Sequence, residues 1–249
     1  MNTLKTIIIV SLVAILYACS SFTPTVDNCN NLFYQRQYAL YTDKCSTLGA
    51  SDAGTQYRLY QIYKLGVGGT IDLPKSNYYL TQAARAGYPK AMLATCSGYY
   101  TGAAGVQSDE RVIFWCTRAY ERGMNGAITY LANTYYNHAN YSQALKYFLL
   151  QSDKSSQTEY IIGLSYLKTE KTVNNGYEWI KKAFNHKNSD AKTYVKNLSG
   201  KYGKCSIEDA YFRSDLSYQE ALEVCKDVND GNLTAATAIL HTKKFFRTF

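Results

Sequence analysis

Six cysteines (Cys29, Cys45, Cys96, Cys116, Cys205 and Cys225), three histidines and two S-x-x-K tetrads are the residues of this chain whose types and spacing could do chemistry. Zinc would need thiolates and imidazoles at ligand spacing. The chain has no C-x-x-C, and no two of His138, His186 and His241 stand in an H-x-x-x-H pattern, so no metal is expected. An even set of cysteines instead reads as a disulfide framework if the chain is exported. Six cysteines allow many connectivities, of which pairing of sequence neighbours (Cys29–Cys45, Cys96–Cys116, Cys205–Cys225) is the simplest. Each such bond would close a loop of about one helical hairpin, worth roughly 3 kcal/mol in the chain-entropy account. The tetrads Ser165–Lys168 and Ser189–Lys192 have the spacing of a penicillin-interacting serine, but the S-D-N and K-T-G companions of that chemistry are missing. No G-x-S-x-G and no G-x-x-x-x-G-K-[ST] phosphate loop occurs. No catalytic residue and no cofactor is assigned. His138 and His186 fall in or beside expected turns and read as surface residues.

The export signal comes from the first residues. Lys5 precedes an uncharged apolar run, Ile7 to Leu16, too short to span a bilayer at about 20 residues. The run ends in Leu16-Tyr17-Ala18-Cys19-Ser20. This resembles the bacterial lipoprotein box, in which the cysteine is lipidated and becomes the mature N-terminus. The resemblance implies a signal peptide over 1–18, lipidation at Cys19 and a lipidated tether over 19–28. Tyr17 is bulkier than the family usually has. Ser20 is not the acidic residue that retains such proteins at the inner membrane, which implies an outer-membrane lipoprotein facing the periplasm. A net charge of +8 would also suit nucleic acid. Export argues against that partner, and the lysines are scattered apart from pairs such as Lys181-Lys182 and Lys243-Lys244. With 3 prolines and no low-complexity tract, the chain is not a disordered linker.

The elements that must position these residues repeat. Tyr63, Tyr99, Tyr135 and Tyr166 each follow a small residue (Thr55, Ala91, Ala127, Thr158) by eight positions. A second aromatic, Tyr79, Trp115, Tyr147 or Trp179, comes later, and four residues beyond it stand Ala83, Ala119, Gln151 and Ala183. Each period reads as two antiparallel helices. The small residues let helices approach while the aromatics fill gaps. Gly87 and Gly123 close the second helices of the first two units, where a left-handed residue is commonly needed. Asp72 and Asp109 are expected as N-caps of the second helices. One helix pair cannot bury both faces, so neighbouring pairs must stack.

The second period reads Ala91-MLATCSG-Tyr99-YT-Gly102-AA-Gly105-Val106-QS-Asp109-ERVIF-Trp115-CTR-Ala119-YER-Gly123. The first carries Leu59, Tyr63, Gly66, Gly68, Asp72, Lys75, Ala83, Ala84 and Gly87. These residues resemble the Sel-one-like repeat family, a cousin of the tetratricopeptide repeats. The third period is degenerate, keeping Ala127, Leu131, Ala132, Tyr135 and Ala144, and the fourth keeps Gly163, Tyr166, Trp179 and Ala183. The resemblance implies an all-α fold, a disulfide-stabilised α-solenoid of antiparallel helix pairs, with an array of about four units over 54–190. Relative to cysteine-rich members of that family, Cys96 and Cys116 both stand four residues nearer the connecting loop. Equal shifts of one turn in an antiparallel pair would keep the two partners level.

Residues 29–53 then form an N-terminal capping helix region, with a leading helix within Asn30 to Leu48, and 191–249 a C-terminal helical cap. Ser217-Tyr-Gln-Glu220 has the form of a capping box ahead of a helix holding Cys225. Leu233 to Phe246 is a final helix, and the apolar Phe245-Phe246-Arg-Thr-Phe249 is expected to fold back on it.

In related repeats the first helices line a concave groove. Carried over, that register assigns partner binding to Tyr57, Gln61, Lys64, Leu93, Ser97, Tyr100, Thr129, Asn133, Tyr136, Tyr160 and Leu164. Tyrosine offers contact area at little entropic cost, and Asn and Gln can bond backbone or sugar. The expected function is therefore a non-catalytic scaffold of the bacterial cell envelope. Its partner would be a protein, either an envelope assembly component or a toxin, or a glycan, and the N-terminal lipid would hold it to the membrane. The alternative within this reading is a periplasmic immunity protein that binds and neutralises a secreted toxin.

Overall fold

A computed structural model describes residues 22–103, 105–169, 173–199, 211 and 216–229. The signal peptide, Cys19 with the first part of the tether, Cys205, His241, the final helix and the apolar tail lie outside these residues. The described elements are helices, packed within each unit as the antiparallel pairs of the α-solenoid class expected from the repeats. By contact the chain divides into two units, residues 1–127 and 128–249.

The first unit holds α1 (Val26–Tyr34), α2 (Tyr38–Cys45), α3 (Ala53–Leu65), α4 (Leu73–Arg85), α5 (Pro89–Thr101) and α6 (Asp109–Glu121). Helix α3 packs on α4, α4 on α5, and α5 on α6. The turns between paired helices are set by side-chain caps and left-handed residues. Asp52 Oδ2 accepts from the Thr55 amide at 2.6 Å to open α3, and Gly66, at φ 67°, closes it. Asp72 Oδ1 accepts from the Lys75 amide at 3.0 Å to open α4, as the sequence suggests. At α6 the expectation fails by one position: Ser108, not Asp109, is the cap, its Oγ accepting from the Arg111 amide. Asp109 instead enters the first turn, where a carboxylate favourably meets the helix dipole.

The single leading helix expected after Asn30 is in fact two. Arg36, at φ 60°, breaks the chain between α1 and α2, and its neighbours close α1 with Arg36 N–H to Phe33 O and Gln37 N–H to Leu32 O. The disulfide Cys29–Cys45 ties α1 to α2 with Cα atoms 5.9 Å apart, and Cys96–Cys116 ties α5 to α6 at 5.2 Å. All four of these cysteines are fully buried. The third pair is described only at Cys225, which is buried and disulfide-bonded.

The second unit holds α7 (Ala127–Asn137), α8 (Tyr141–Leu150), α9 (Ser156–Lys168), α10 (Val173–Asn185), α11 (Ser189–Ser199) and α12 (Tyr218–Asn229). The capping box forms as expected: the Ser217 amide donates to Glu220 Oε2 at 2.8 Å while the Glu220 amide donates to Ser217 Oγ at 3.3 Å. Helix α12 packs on α10, and a core of Tyr177, Ile180, Ala183, Val195, Leu216 and Ala221 lies between these elements. Ala83, Ala91, Ala119, Ala127 and Ala183 are all fully buried, the steric role the repeat pattern gives them.

Candidate functional site

Apart from Ser189, the groups with catalytic potential are engaged in the fold. Ser165 is fully buried and donates its hydroxyl to Ile161 O at 2.7 Å, back-bonding within α9 rather than facing a substrate. Ser189 is exposed at the start of α11, whose cap is made by Asn188 Oδ1 and the Ala191 amide. His138 Nδ1 lies 3.1 Å from Thr134 O at the end of α7. His186 Nδ1 lies 2.7 Å from Oε2 of Glu159, a carboxylate only 4% exposed in α9. That pairing answers the burial of Glu159, since a carboxylate taken from water needs a hydrogen-bond partner. Among the described residues no group of three or more His, Cys, Asp or Glu is placed to hold a metal ion.

The first-helix residues assigned to partner binding divide by unit. In the first, Tyr57 of α3 is half-buried, its ring 5.4 Å from Tyr60 and 5.1 Å from Tyr88. Burial, with the adjacent Tyr60 and Tyr88, raises its hydroxyl pKa. Gln61 is half-buried and Lys64 exposed. Lys64 Nζ donates to Tyr60 Oη at 3.0 Å and sits 5.4 Å from that ring. From α5, Leu93 faces Gly126, and Ser97 and Tyr100 are half-buried, the Tyr100 carbonyl accepting from Gln107 Nε2 at 3.3 Å.

In the second unit, Thr129 is exposed and accepts from Gln151 Nε2 at 3.3 Å, and Asn133 is half-buried. Tyr136 packs edge-on against Tyr141 and Phe148 of α8, at 5.7 and 6.3 Å. Tyr160 meets Tyr194 edge-on at 6.2 Å, and with Leu164 it lies against the α10–α12 core. Burial raises the hydroxyl pKa of both Tyr136 and Tyr160. The rings of Tyr136 and Tyr160 thus lie partly between helices, leaving their rims outward.

One feature was missed at the level of sequence. Between α3, α4 and α5 opens a pocket of about 500 Å³ whose lining includes Tyr60, Lys64, Leu73, Leu80, Thr95 and Ser97. The signal was present in the register. Four residues before each marker tyrosine stand Leu59, Thr95, Leu131 and Ile162; the three aliphatics are fully buried, and Thr95 puts a hydroxyl in the same core position.

No family model and no curated protein matches the chain. Among the solved structures to which the chain is similar are two that display Sel1-like repeats. A protective antigen present in uropathogenic Escherichia coli strains, displaying an SLR fold, aligns at a TM-score of 0.50 with 20% identity over 91% of this chain and 59% of its own length. A Sel1 repeat protein from Oxalobacter formigenes aligns at 0.47 with 20% identity over 73% of this chain and 80% of its own. Among the described residues no helix is long and apolar enough to cross a membrane.

Proposed function

We propose that this chain is a non-catalytic scaffold of the bacterial cell envelope, held to a membrane by a lipid on Cys19, that binds a polypeptide along the first helices of its repeats. One observation carries the reading: the reactive side chains, the exposed Ser189 apart, serve the fold while the first helices keep polar groups at the surface. Ser165 is buried, His186 pairs with Glu159 and the described cysteines are disulfide-bonded. Gln61, Lys64, Ser97, Tyr100, Thr129 and Asn133 keep part or all of their surface in water. Stacked helix pairs present extended surfaces of this kind. Disulfides of this number support an oxidising compartment, and the Leu16-Tyr17-Ala18-Cys19 motif supports export with lipidation.

The test has two arms. Metabolic labelling with a radiolabelled fatty acid should mark the wild-type chain and not Cys19→Ala; equal labelling would remove the anchor from the reading. Affinity capture from an envelope extract should recover a protein with wild type and lose it with Gln61→Ala/Lys64→Ala/Asn133→Ala, at an unchanged melting temperature. Capture unaffected by the triple variant would discard this face. A single partner with toxin activity, recovered one-to-one, would turn the scaffold into an immunity protein.

A further inference from the structure

We infer that Asn125–Gly126, in the turn between α6 and α7, is a site of spontaneous deamidation, where the main chain closes on the Asn125 side chain and reopens as isoaspartate. The inference goes beyond the scaffold reading and does not depend on it. Asn-Gly occurs twice in the sequence, at Asn125–Gly126 and at Asn175–Gly176. Glycine matters because the reacting nitrogen is its own amide, and without a Cβ nothing crowds the approach to the asparagine side chain.

The structure separates the two copies. Asn125 and Gly126 are both exposed. They form the centre of a tight turn closed by one hydrogen bond, Ala127 N–H to Met124 O at 3.0 Å, while Asn125 N–H donates to Gly123 O at 3.1 Å. Neither bond engages the two groups that react. Among the described residues nothing accepts from the Gly126 N–H, and nothing pairs with the Asn125 side-chain amide. Gly126 also stands immediately ahead of α7, where the positive end of the helix dipole makes an N–H a better acid and favours the carboxylate of the product. Asn175 lies instead in the first turn of α10, and Gly176 is buried there: an added Cβ would meet Leu167 Cδ2 at 2.7 Å and Gly163 O at 3.0 Å. Helical backbone holds the Gly176 nitrogen away from the Asn175 side-chain carbon, and packing against α9 keeps that turn from opening.

The chemistry needs only base and water. The Gly126 nitrogen gives up its proton and attacks Asn125 Cγ, forming a five-membered imide. The bond from Cγ to the side-chain nitrogen breaks, and that nitrogen takes a proton and leaves as ammonia. Water then adds to one of the two imide carbonyls and opens the ring. Opening at the main-chain carbonyl gives isoaspartate, and opening at Cγ gives aspartate. Either product puts a negative charge at the head of α7, the helix that carries Thr129, Asn133 and Tyr136. Isoaspartate also lengthens the main chain by one carbon beside the division between the two units.

The experiment incubates the full chain at neutral and at mildly alkaline pH, digests it under acidic conditions and reads the peptides by mass spectrometry, with electron-transfer fragmentation to separate isoaspartate from aspartate. Asn125 should convert steadily, faster at the higher pH and with isoaspartate in excess, while Asn175 should convert about tenfold or more slowly. In urea that difference should vanish. Gly126 is not left-handed, and an added Cβ would come no nearer than 3.4 Å to Leu93. Gly126→Ala should therefore keep the circular-dichroism spectrum of the wild type and slow the conversion about tenfold or more. Equal rates at Asn125 and Asn175 in the folded chain, an unchanged rate in Gly126→Ala, or conversion to aspartate alone would overturn the site. A difference that persists in urea would overturn the fold as what selects Asn125.

Discussion

Tyr63 of α3 and Tyr79 of α4 stack with ring centroids 5.7 Å apart and planes 2° from parallel. Tyr135 of α7 and Tyr147 of α8 do the same, at the same 5.7 Å and 2°. Each pair joins the first helix of a repeat to its second, and each carries a lysine on one face: Lys75 Nζ lies 5.3 Å from the Tyr63 ring and Lys146 Nζ 5.3 Å from Tyr147. The recurrence ties the two marker aromatics of the sequence pattern to one packing relationship, present in both units. Offset stacking of this kind adds about 0.5–1.5 kcal/mol beyond the area buried. A double-mutant cycle with Tyr63→Leu and Tyr79→Leu should therefore give a coupling energy of about 1 kcal/mol in urea unfolding. Additive effects would mean that the rings act only as apolar filler.

Tyrosine burial also sets a pH limit. Burial raises the hydroxyl pKa of Tyr41, Tyr57, Tyr79, Tyr135, Tyr136, Tyr160 and Tyr211 above the ordinary 10.0. The unfolded chain then releases these protons at lower pH than the folded one. Stability from this source is complete below pH 10 and is lost as pH rises from there through the folded values. The urea midpoint should fall steeply above pH 10, and Tyr41→Phe/Tyr79→Phe should flatten that fall. A midpoint insensitive to pH across this range would contradict the burial of these hydroxyls.

The repeat register, the paired cysteines and the capping residues Asp72 and Ser217 were legible because each rests on a local rule: a spacing, a loop closure, a side chain that reaches its own backbone. Three features were not, and the helix ends show why. Gly87 and Gly123 follow α4 and α6 in the left-handed conformation, with Tyr88 N–H bonded to Ala83 O and Met124 N–H to Ala119 O. Arg36, Ala139 and Lys187 take the same conformation after α1, α7 and α10, with Gln37 N–H on Leu32 O, Asn140 N–H on Tyr135 O and Asn188 N–H on Ala183 O. Those turns carry no glycine, so composition hides them; the hydrogen bonds they complete hold a strained residue in place. Ser108 displaced Asp109 as a cap because both residue types can do the job and stand side by side. Thr95 was legible in principle, but only once the register is known well enough to notice what is missing from it.

Lys187 turns that point into a measurement. At φ 63° it sits where glycine would be unstrained, and a left-handed non-glycine residue costs about 1–2 kcal/mol. Part of the relief is returned as extra entropy of the unfolded chain. Lys187→Gly should stabilise the second unit by roughly 0.5–1 kcal/mol in denaturant unfolding. A destabilised variant would show that the lysine side chain contributes more than the strain.

A close approach in the second unit demands glycine for another reason. A Cβ on Gly163 of α9 would meet the Gly176 carbonyl oxygen at 2.8 Å and the Ile180 amide nitrogen at 3.0 Å, and one on Gly176 of α10 would meet the Gly163 carbonyl oxygen at 3.0 Å. Side-chain atoms of Ile180 and Leu167 come nearer still, at 2.6 and 2.7 Å, and could shift, but the backbone atoms of the facing helix cannot be moved by any rotamer change. The close packing of α9 on α10 therefore depends on two missing side chains. Gly163→Ala should push the pair apart and cost about 2–3 kcal/mol, the upper range for overpacking a well-filled core, although alanine is the better helix former by about 1 kcal/mol. The same substitution at Gly69, where nothing lies within 4 Å of the added carbon but φ is 154°, tests strain without crowding and should cost less. Thermal unfolding of the two variants side by side separates steric exclusion from backbone conformation, and an unchanged melt for Gly163→Ala would mean that α9 and α10 do not cross at these glycines.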